Sequence, residues 1–161
     1  MRWVYYAISI LILYILQTIF PSGLMLFGAK PILLLGFVVS VALMRGGVDG
    51  GVVGLICGLL MDLLSGRIIG VNAFLFMYAG AITGFLCAGF FKEKSVVALV
   101  FAAASTMLYG MIYGFLSFTI WGESGFVALF WNIILPETIF TAIMAVPIFI
   151  ANRYFNKRYI K

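Results

Sequence analysis

The sequence predicts an all-α membrane protein, with six transmembrane helices in one compact bundle that comprises residues 1–161. Composition is the first reason, because 65% of the residues are hydrophobic and 9% are charged, whereas a soluble domain is about one-quarter charged. Length is the second, because one crossing needs about 20 mostly apolar residues and the chain has enough for about five or six. This composition excludes a soluble enzyme, a secreted disulfide scaffold and a nucleic-acid-binding protein.

Turn-forming and charged residues set the boundaries of the predicted helices. Gly, Pro, Ser and charged residues interrupt the apolar stretches at 21–23, 45–47, 65–67, 92–94 and 121–124. Because these connectors are short, we expect sequential helices to lie antiparallel in a single domain. The predicted helices cover residues 3–20, 31–44, 46–65, 69–91, 95–120 and 125–152.

The second apolar stretch, 31–44, is too short to cross a bilayer alone. Its 14 residues would extend for about 21 Å as a helix, against a hydrocarbon core of roughly 30 Å. Either this helix is sunk within the bundle, or residues 22–30 add apolar backbone at the membrane interface. Pro31 is well placed for the first turn of a helix, which favours the second alternative.

The positions of lysine and arginine indicate the orientation, because cytoplasmic connectors carry more of them. With the N-terminus inside, eight of these ten residues lie on the cytoplasmic side. We therefore expect both termini to be cytoplasmic, and the basic, aromatic segment 153–161 to anchor the chain at lipid headgroups. The inner set is Arg2, Arg45, Lys92, Lys94, Arg153, Lys157, Arg158 and Lys161, and the outer set is Lys30 and Arg67.

Glycines at helical spacing mark the predicted packing surfaces. Helices in lipid associate closely where small residues let their backbones approach. Two interpretations are open: the glycine stripes pack the bundle internally, or one of them receives the transmembrane helix of a partner. The stripes are Gly47, Gly51, Gly54 and Gly58 on the third helix, Gly80 and Gly84 on the fourth, and Gly110 and Gly114 on the fifth.

A few polar residues lie near the third and fourth helices. Asp62 shares the glycine stripe of the third helix, so it is expected to face protein, and it precedes Arg67 by five residues. One interpretation is an ion pair between Asp62 and Arg67 that closes the turn. The other places Asp62, Arg67 and Asn72 on the rim of an outward-facing crevice.

Glu137 is predicted near mid-membrane on the sixth helix, where ionisable groups are costly and often functional. Pro136 beside it has no N–H to donate to the carbonyl of Asn132, so a protonated Glu137 could satisfy that carbonyl. The alternative is contact with a ligand, a proton or a partner.

No residue pattern in the chain predicts catalysis, a metal or a cofactor. The sequence has no histidine, which is the commonest general base and metal ligand. The two cysteines, Cys57 and Cys87, both lie inside apolar stretches, where we expect them to pack as small apolar residues.

Two segments carry a recognisable pattern: residues 54–66, with the sequence GLICGLLMDLLSG, and residues 70–73, with the sequence GVNA. Together they resemble the signature of the MreD family of rod shape-determining membrane proteins. The turn at 45–47 and Pro31 also agree with that family. In the family pattern an acidic residue follows this proline, whereas the present chain has Ile32. Any role of an acidic side chain at this position is therefore not expected here.

The resemblance implies a fold similar to the S components of energy-coupling-factor vitamin transporters. It also implies a non-catalytic protein of the bacterial inner membrane that binds MreC and helps to position RodA and its penicillin-binding transpeptidase, with an indirect link to MreB. The alternative is an S-component-like protein that binds a vitamin-like solute, for which Asp62, Arg67, Asn72 and Glu137 would line the crevice.

Overall fold

Six α-helices make up the part of the chain that a computed structural model describes, which is residues 2–19, 31–65, 70–87, 95–121 and 130–159. No β-strand occurs within these ranges. A five-residue π-helical turn, Phe130–Ile134, leads directly into the last helix. The helices are α1 (Arg2–Ile19), α2 (Leu33–Arg45), α3 (Gly47–Ser65), α4 (Val71–Leu86), α5 (Ser95–Trp121) and α6 (Leu135–Tyr159).

The last helix ends later in the chain than the sequence predicts. α6 continues to Tyr159, whereas the predicted helix ends at residue 152. Its 25 residues extend for about 37 Å, more than the roughly 30 Å of a hydrocarbon core. Part of the basic segment expected at the headgroups is therefore helical. The predicted turns at 21–23, 66–67, 92–94 and 122–124 lie outside the described residues.

Two helical segments are long and apolar enough to cross a membrane, Ser95–Leu116 and Phe130–Asn156. Their mean hydropathies are 1.9 and 2.1. The apolar helices Trp3–Ile19, Leu33–Arg45 and Val71–Leu86 are shorter. The number of crossings therefore stays a prediction.

The exterior of the bundle is apolar on five of its helices. Large apolar side chains are exposed on each of them, among them Ile8 on α1, Leu63 on α3, Phe85 on α4, Val96 on α5 and Ile143 on α6. Soluble monomers rarely expose apolar patches of more than a few hundred Å². Such an exterior is suited to lipid rather than to water.

The short helix α2 forms the centre of the bundle. Every residue from Leu33 to Leu43 is buried, and α2 contacts each of the other five helices. A helix that is apolar on all sides is stable where protein or lipid surrounds it, and here the other helices surround α2. The structure thus corresponds to the first of the two alternatives for this stretch, a helix sunk within the bundle. Residues 22–30, on which the second alternative depends, lie outside the described residues.

Side chains from α1 and α6 satisfy the buried N-terminus of α2, where the first N–H groups of a helix lack internal acceptors. The N–H of Ile32 donates to Oγ1 of Thr141 at 3.0 Å, and the N–H of Leu34 donates to Oε1 of Gln17 at 3.4 Å. The helix begins at Leu33, so Pro31 precedes it and does not occupy the first helical position as predicted. These contacts hold the sunken helix at a fixed depth.

Replacing Thr141 with valine keeps the shape of the side chain but leaves the buried N–H of Ile32 without an acceptor. We expect the free energy of unfolding to fall by about 1–3 kcal/mol, measured by denaturation of the purified protein in detergent micelles. Thr119→Val is the control, because the exposed Thr119 hydroxyl donates only within its own helix, to the Phe115 carbonyl. Equal stability of the two variants would contradict this role of Thr141.

Candidate functional site

Helices α3 and α4 bring their backbones into direct contact. A Cβ atom on Gly54 would lie 2.3 Å from the carbonyl oxygen of Phe76, and one on Gly58 would lie 2.4 Å from the Cα of Ala73. No side chain fits at these distances while the helices keep their separation. We call this contact the α3–α4 seam, defined by Gly47, Gly50, Gly54 and Gly58 on α3 and by Ala73, Phe76, Gly80 and Gly84 on α4.

Towards the start of α3, the seam continues with residues that lie later in α4. A Cβ on Gly80 would lie 2.3 Å from the carbonyl oxygen of Gly50, and one on Gly84 would lie 2.3 Å from the backbone nitrogen of Gly47. The two helices are therefore antiparallel along their whole contact. Close packing of this kind replaces the hydrophobic driving force that is absent between helices in lipid.

The seam places most of the predicted glycines inside the bundle. Gly51 differs, since a Cβ there would lie 3.6 Å from the Cβ of Ala81, an ordinary contact. Gly50, which is not part of the predicted stripe, has no room for a Cβ, because the Cβ of Ala42 on the buried helix α2 would be 2.5 Å away. The seam glycines thus pack against this chain and not against a partner.

The glycines of α5 lie elsewhere. A Cβ on Gly110 would lie 2.9 Å from Cγ2 of Ile134, in the π-helical turn before α6. Gly114, one turn further along α5, is also buried. Gly110 therefore lets α5 approach the start of α6.

Asp62, near the end of α3, caps the N-terminus of α4. Its Oδ2 accepts hydrogen bonds from the N–H groups of Gly70 at 2.9 Å and Ala73 at 3.0 Å, and its Oδ1 accepts one from the N–H of Asn72 at 3.2 Å. These N–H groups belong to the first turn of a helix, where internal acceptors are missing. A carboxylate there also opposes the positive end of the helix dipole. We call this arrangement the Asp62 clamp.

Three of the four residues of the GVNA segment, Gly70, Asn72 and Ala73, have a definable part in the clamp. Gly70 has a φ of +106°, a left-handed conformation that side chains strain, and in it its N–H reaches Asp62. Ala73 is small enough for Gly58 to approach its Cα. Asn72 donates its backbone N–H to Asp62. The short separation between segments 54–66 and 70–73 lets Asp62 at the end of α3 reach the first N–H groups of α4.

The clamp changes the interpretation of Asp62. All its described hydrogen bonds are to backbone N–H groups, and Arg67, its predicted ion-pair partner, lies outside the described residues. Asp62 is 2% exposed and Asn72 is 5% exposed. Neither side chain lines an open crevice within the described part of the chain.

Asn72 extends the site to α5. Its side-chain Oδ1 accepts a hydrogen bond from the hydroxyl of Tyr109 at 2.7 Å. The Tyr109 ring also makes an edge contact with Phe76, with ring centroids 5.5 Å apart. Tyr109 thereby ties α5 to the clamp, and nothing in the sequence pairs it with Asn72.

Glu137 lies apart from the clamp, in the first turn of α6. It is half-buried, and within the described residues it makes no hydrogen bond or ion pair. The expected bond to the Asn132 carbonyl is therefore absent there. Instead the chain accommodates Pro136 by the π-helical turn that precedes it, and Thr138 donates a hydrogen bond to the Ile134 carbonyl at 2.7 Å.

Two apolar cavities open on the outside of the bundle. One, the α4–α5 cleft, measures about 180 Å³. The other, the α1–α6 groove, measures about 480 Å³. Asp62, Asn72 and Glu137 line neither of them. The small residues in the α4–α5 cleft are Ala79, Thr83, Ala104 and Ser105.

An apolar exterior, a fully enclosed central helix and polar groups bonded inside the bundle define a helical membrane protein whose described polar site is structural. The family model of rod shape-determining protein MreD matches residues 1–155. The chain belongs to the MreD family.

Membership establishes a role in rod shape determination and the character of a membrane protein. The family is known for a structural role in cell shape and not as a family of enzymes. No curated protein sequence and no solved structure shows a significant match to the chain.

Proposed function

We propose that this protein is a non-catalytic scaffold of the bacterial inner membrane that binds MreC. Through MreC it helps to position RodA and its penicillin-binding transpeptidase, with an indirect link to MreB filaments. The observation that carries this proposal is the family match over residues 1–155. The clamp and the seam support it, because they fix α3 and α4 to each other through direct backbone contacts.

The proposed topology is six crossings with both termini in the cytoplasm. The rings of Tyr5 near the start of α1 and Phe155 near the end of α6 are 5.2 Å apart. The start of α1 and the end of α6 therefore lie at the same end of the bundle, which supports an even number of crossings. The excess of lysine and arginine on this side supports a cytoplasmic assignment.

The α4–α5 cleft is the proposed contact surface for the transmembrane helix of MreC. The seam glycines already pack against each other, so a partner helix needs a different set of small residues. Ala79, Thr83, Ala104 and Ser105 line the cleft, and small or hydroxyl-bearing residues are the ones that transmembrane helices use at contacts.

Site-specific photocrosslinking in rod-shaped cells tests this proposal. A crosslinker at Ala104, which is exposed in the cleft, is expected to capture MreC. The matched control is Ala7, an exposed alanine of α1 that lines neither cavity. Capture from Ala7 but not from Ala104 would contradict the proposed surface, and failure of MreC to co-purify with the protein would contradict the proposed function.

The alternative, binding of a vitamin-like solute, has less support. Asp62 and Asn72 direct their described hydrogen bonds to the backbone of α4 and to Tyr109. Both described cavities are apolar. A site for a polar solute would need free polar groups, which these residues do not offer.

A further inference from the structure

The α1–α6 groove has the dimensions of a ligand site. Its volume of about 480 Å³ falls within the roughly 300–1,000 Å³ of small-molecule sites. The walls are apolar, with Ile8 and Ile12 on α1 and Ile148 on α6, and Phe37 of the buried helix α2 forms the floor. The groove is therefore built on the rigid centre of the bundle.

The groove lies lengthwise between the two helices. At one end it is lined by Tyr5 and Phe155, close to the two chain ends, and further along it is lined by Leu13 and Pro147. It thus leads from the end of the bundle towards the middle of the helices. This is the direction in which an acyl chain lies beside a transmembrane helix.

One polar side chain in the groove has no partner. Asn152 is 4% exposed and lines the groove, and no hydrogen bond joins its amide to any described residue. An amide that faces an apolar groove without a hydrogen bond is costly, particularly in a lipid environment. A ligand with a carbonyl oxygen at this depth would satisfy it.

Basic residues are frequent in the sequence of the two helix ends that flank the end of the groove near the chain termini. Arg153 follows Asn152, α6 continues with Lys157 and Arg158, and α1 begins at Arg2. Neither α1 nor the part of α6 after Glu137 contains an acidic residue. The positive charge of these two helix ends in the sequence favours an anion near them.

We infer that the α1–α6 groove binds one anionic phospholipid. The phosphate lies near these basic helix ends, a glycerol ester carbonyl accepts a hydrogen bond from Asn152, and an acyl chain lies against Phe37. The succession of cations, an unpartnered amide and an apolar channel selects a phospholipid over an apolar partner helix, which offers neither the phosphate nor the carbonyl. This site is independent of MreC binding.

Native mass spectrometry of the full chain tests the site. The protein is taken from bilayers that contain equal amounts of phosphatidylglycerol and phosphatidylethanolamine, and the lipid that stays bound is identified. We expect one phosphatidylglycerol per chain, held in preference to phosphatidylethanolamine. Ala151→Phe fills the groove and should lower lipid retention at least tenfold, whereas the matched Ala7→Phe, outside the groove, should leave it unchanged.

A second variant keeps the test decisive if Ala151→Phe does not fold. Arg153→Gln combined with Lys157→Gln should reduce the preference for phosphatidylglycerol while some lipid stays bound. The proposal is overturned if the unmodified protein holds both lipids equally, if the charge variant keeps the full preference, or if folded Ala151→Phe retains as much lipid as Ala7→Phe. Capture of a protein helix instead of lipid by a photocrosslinker at position 151 would also overturn it.

Discussion

Leucine in place of Gly58 is expected to separate α3 from α4 and to abolish rod shape in cells that carry the variant. A Cβ at this position would lie 2.4 Å from the Cα of Ala73 and 2.4 Å from the carbonyl oxygen of Asn72. Both are backbone atoms of the turn that Asp62 holds, so they cannot move away without breaking the clamp. Even alanine should lower the free energy of unfolding by about 1–3 kcal/mol, measured on purified protein in detergent.

The matched control is Gly51→Ala on the same helix. A Cβ at Gly51 would meet the Cβ of Ala81 at 3.6 Å, so alanine fits and should stabilise the helix by about 0.5–1 kcal/mol. Cells with this variant are expected to stay rod-shaped. Normal rods in cells that insert Gly58→Leu stably would show that the seam is not needed for shape.

Asp62→Ala is expected to be the most destabilising substitution at a polar residue of the bundle. It removes the acceptor for the N–H groups of Gly70, Asn72 and Ala73. Each buried donor left without a partner costs about 1–3 kcal/mol, so the free energy of unfolding should fall by about 3 kcal/mol or more. Denaturation of the purified variant in detergent measures this loss.

Asp62→Asn separates hydrogen bonding from charge. The amide keeps one acceptor oxygen but turns an NH₂ group towards the N-terminus of α4, which already presents donors. We expect a stability between those of the native protein and Asp62→Ala. If Asp62→Ala unfolds at the same denaturant concentration as the native protein, the clamp does not stabilise the fold.

The clamp illustrates what the sequence can and cannot predict. The segments around Asp62 and Asn72 could be recognised as a pattern. The position of Asp62 on the glycine stripe also indicated that its side chain faces protein, and Asp62 is buried in the structure. The acceptor role of Asp62 could not be derived, because its donors are backbone N–H groups, which every residue except proline has. The sequence does show that Arg67 lies five residues after Asp62. This proximity led to the prediction of an ion pair between them.

The central helix shows the same limit. An uninterrupted apolar stretch without a polar face indicates a helix buried in protein or in lipid. The 14 residues of 31–44 are too few to cross a bilayer, which made burial in protein one of two alternatives. The hydrogen-bond acceptors at the N-terminus of α2 could not be predicted, because Thr141 lies 109 residues from Ile32 in the sequence. Gly50 was missed for a related reason, since its close contact with Ala42 arises from the packing of two helices.

Hydrogen exchange at the backbone amides of Gly70, Asn72 and Ala73, measured on the purified protein without any partner, tests most directly whether Asp62 serves the fold itself. The three amides are expected to be strongly protected in the native protein and to exchange much faster in Asp62→Ala. Rapid exchange in the native protein, or protection that appears only when MreC is added, would contradict this account.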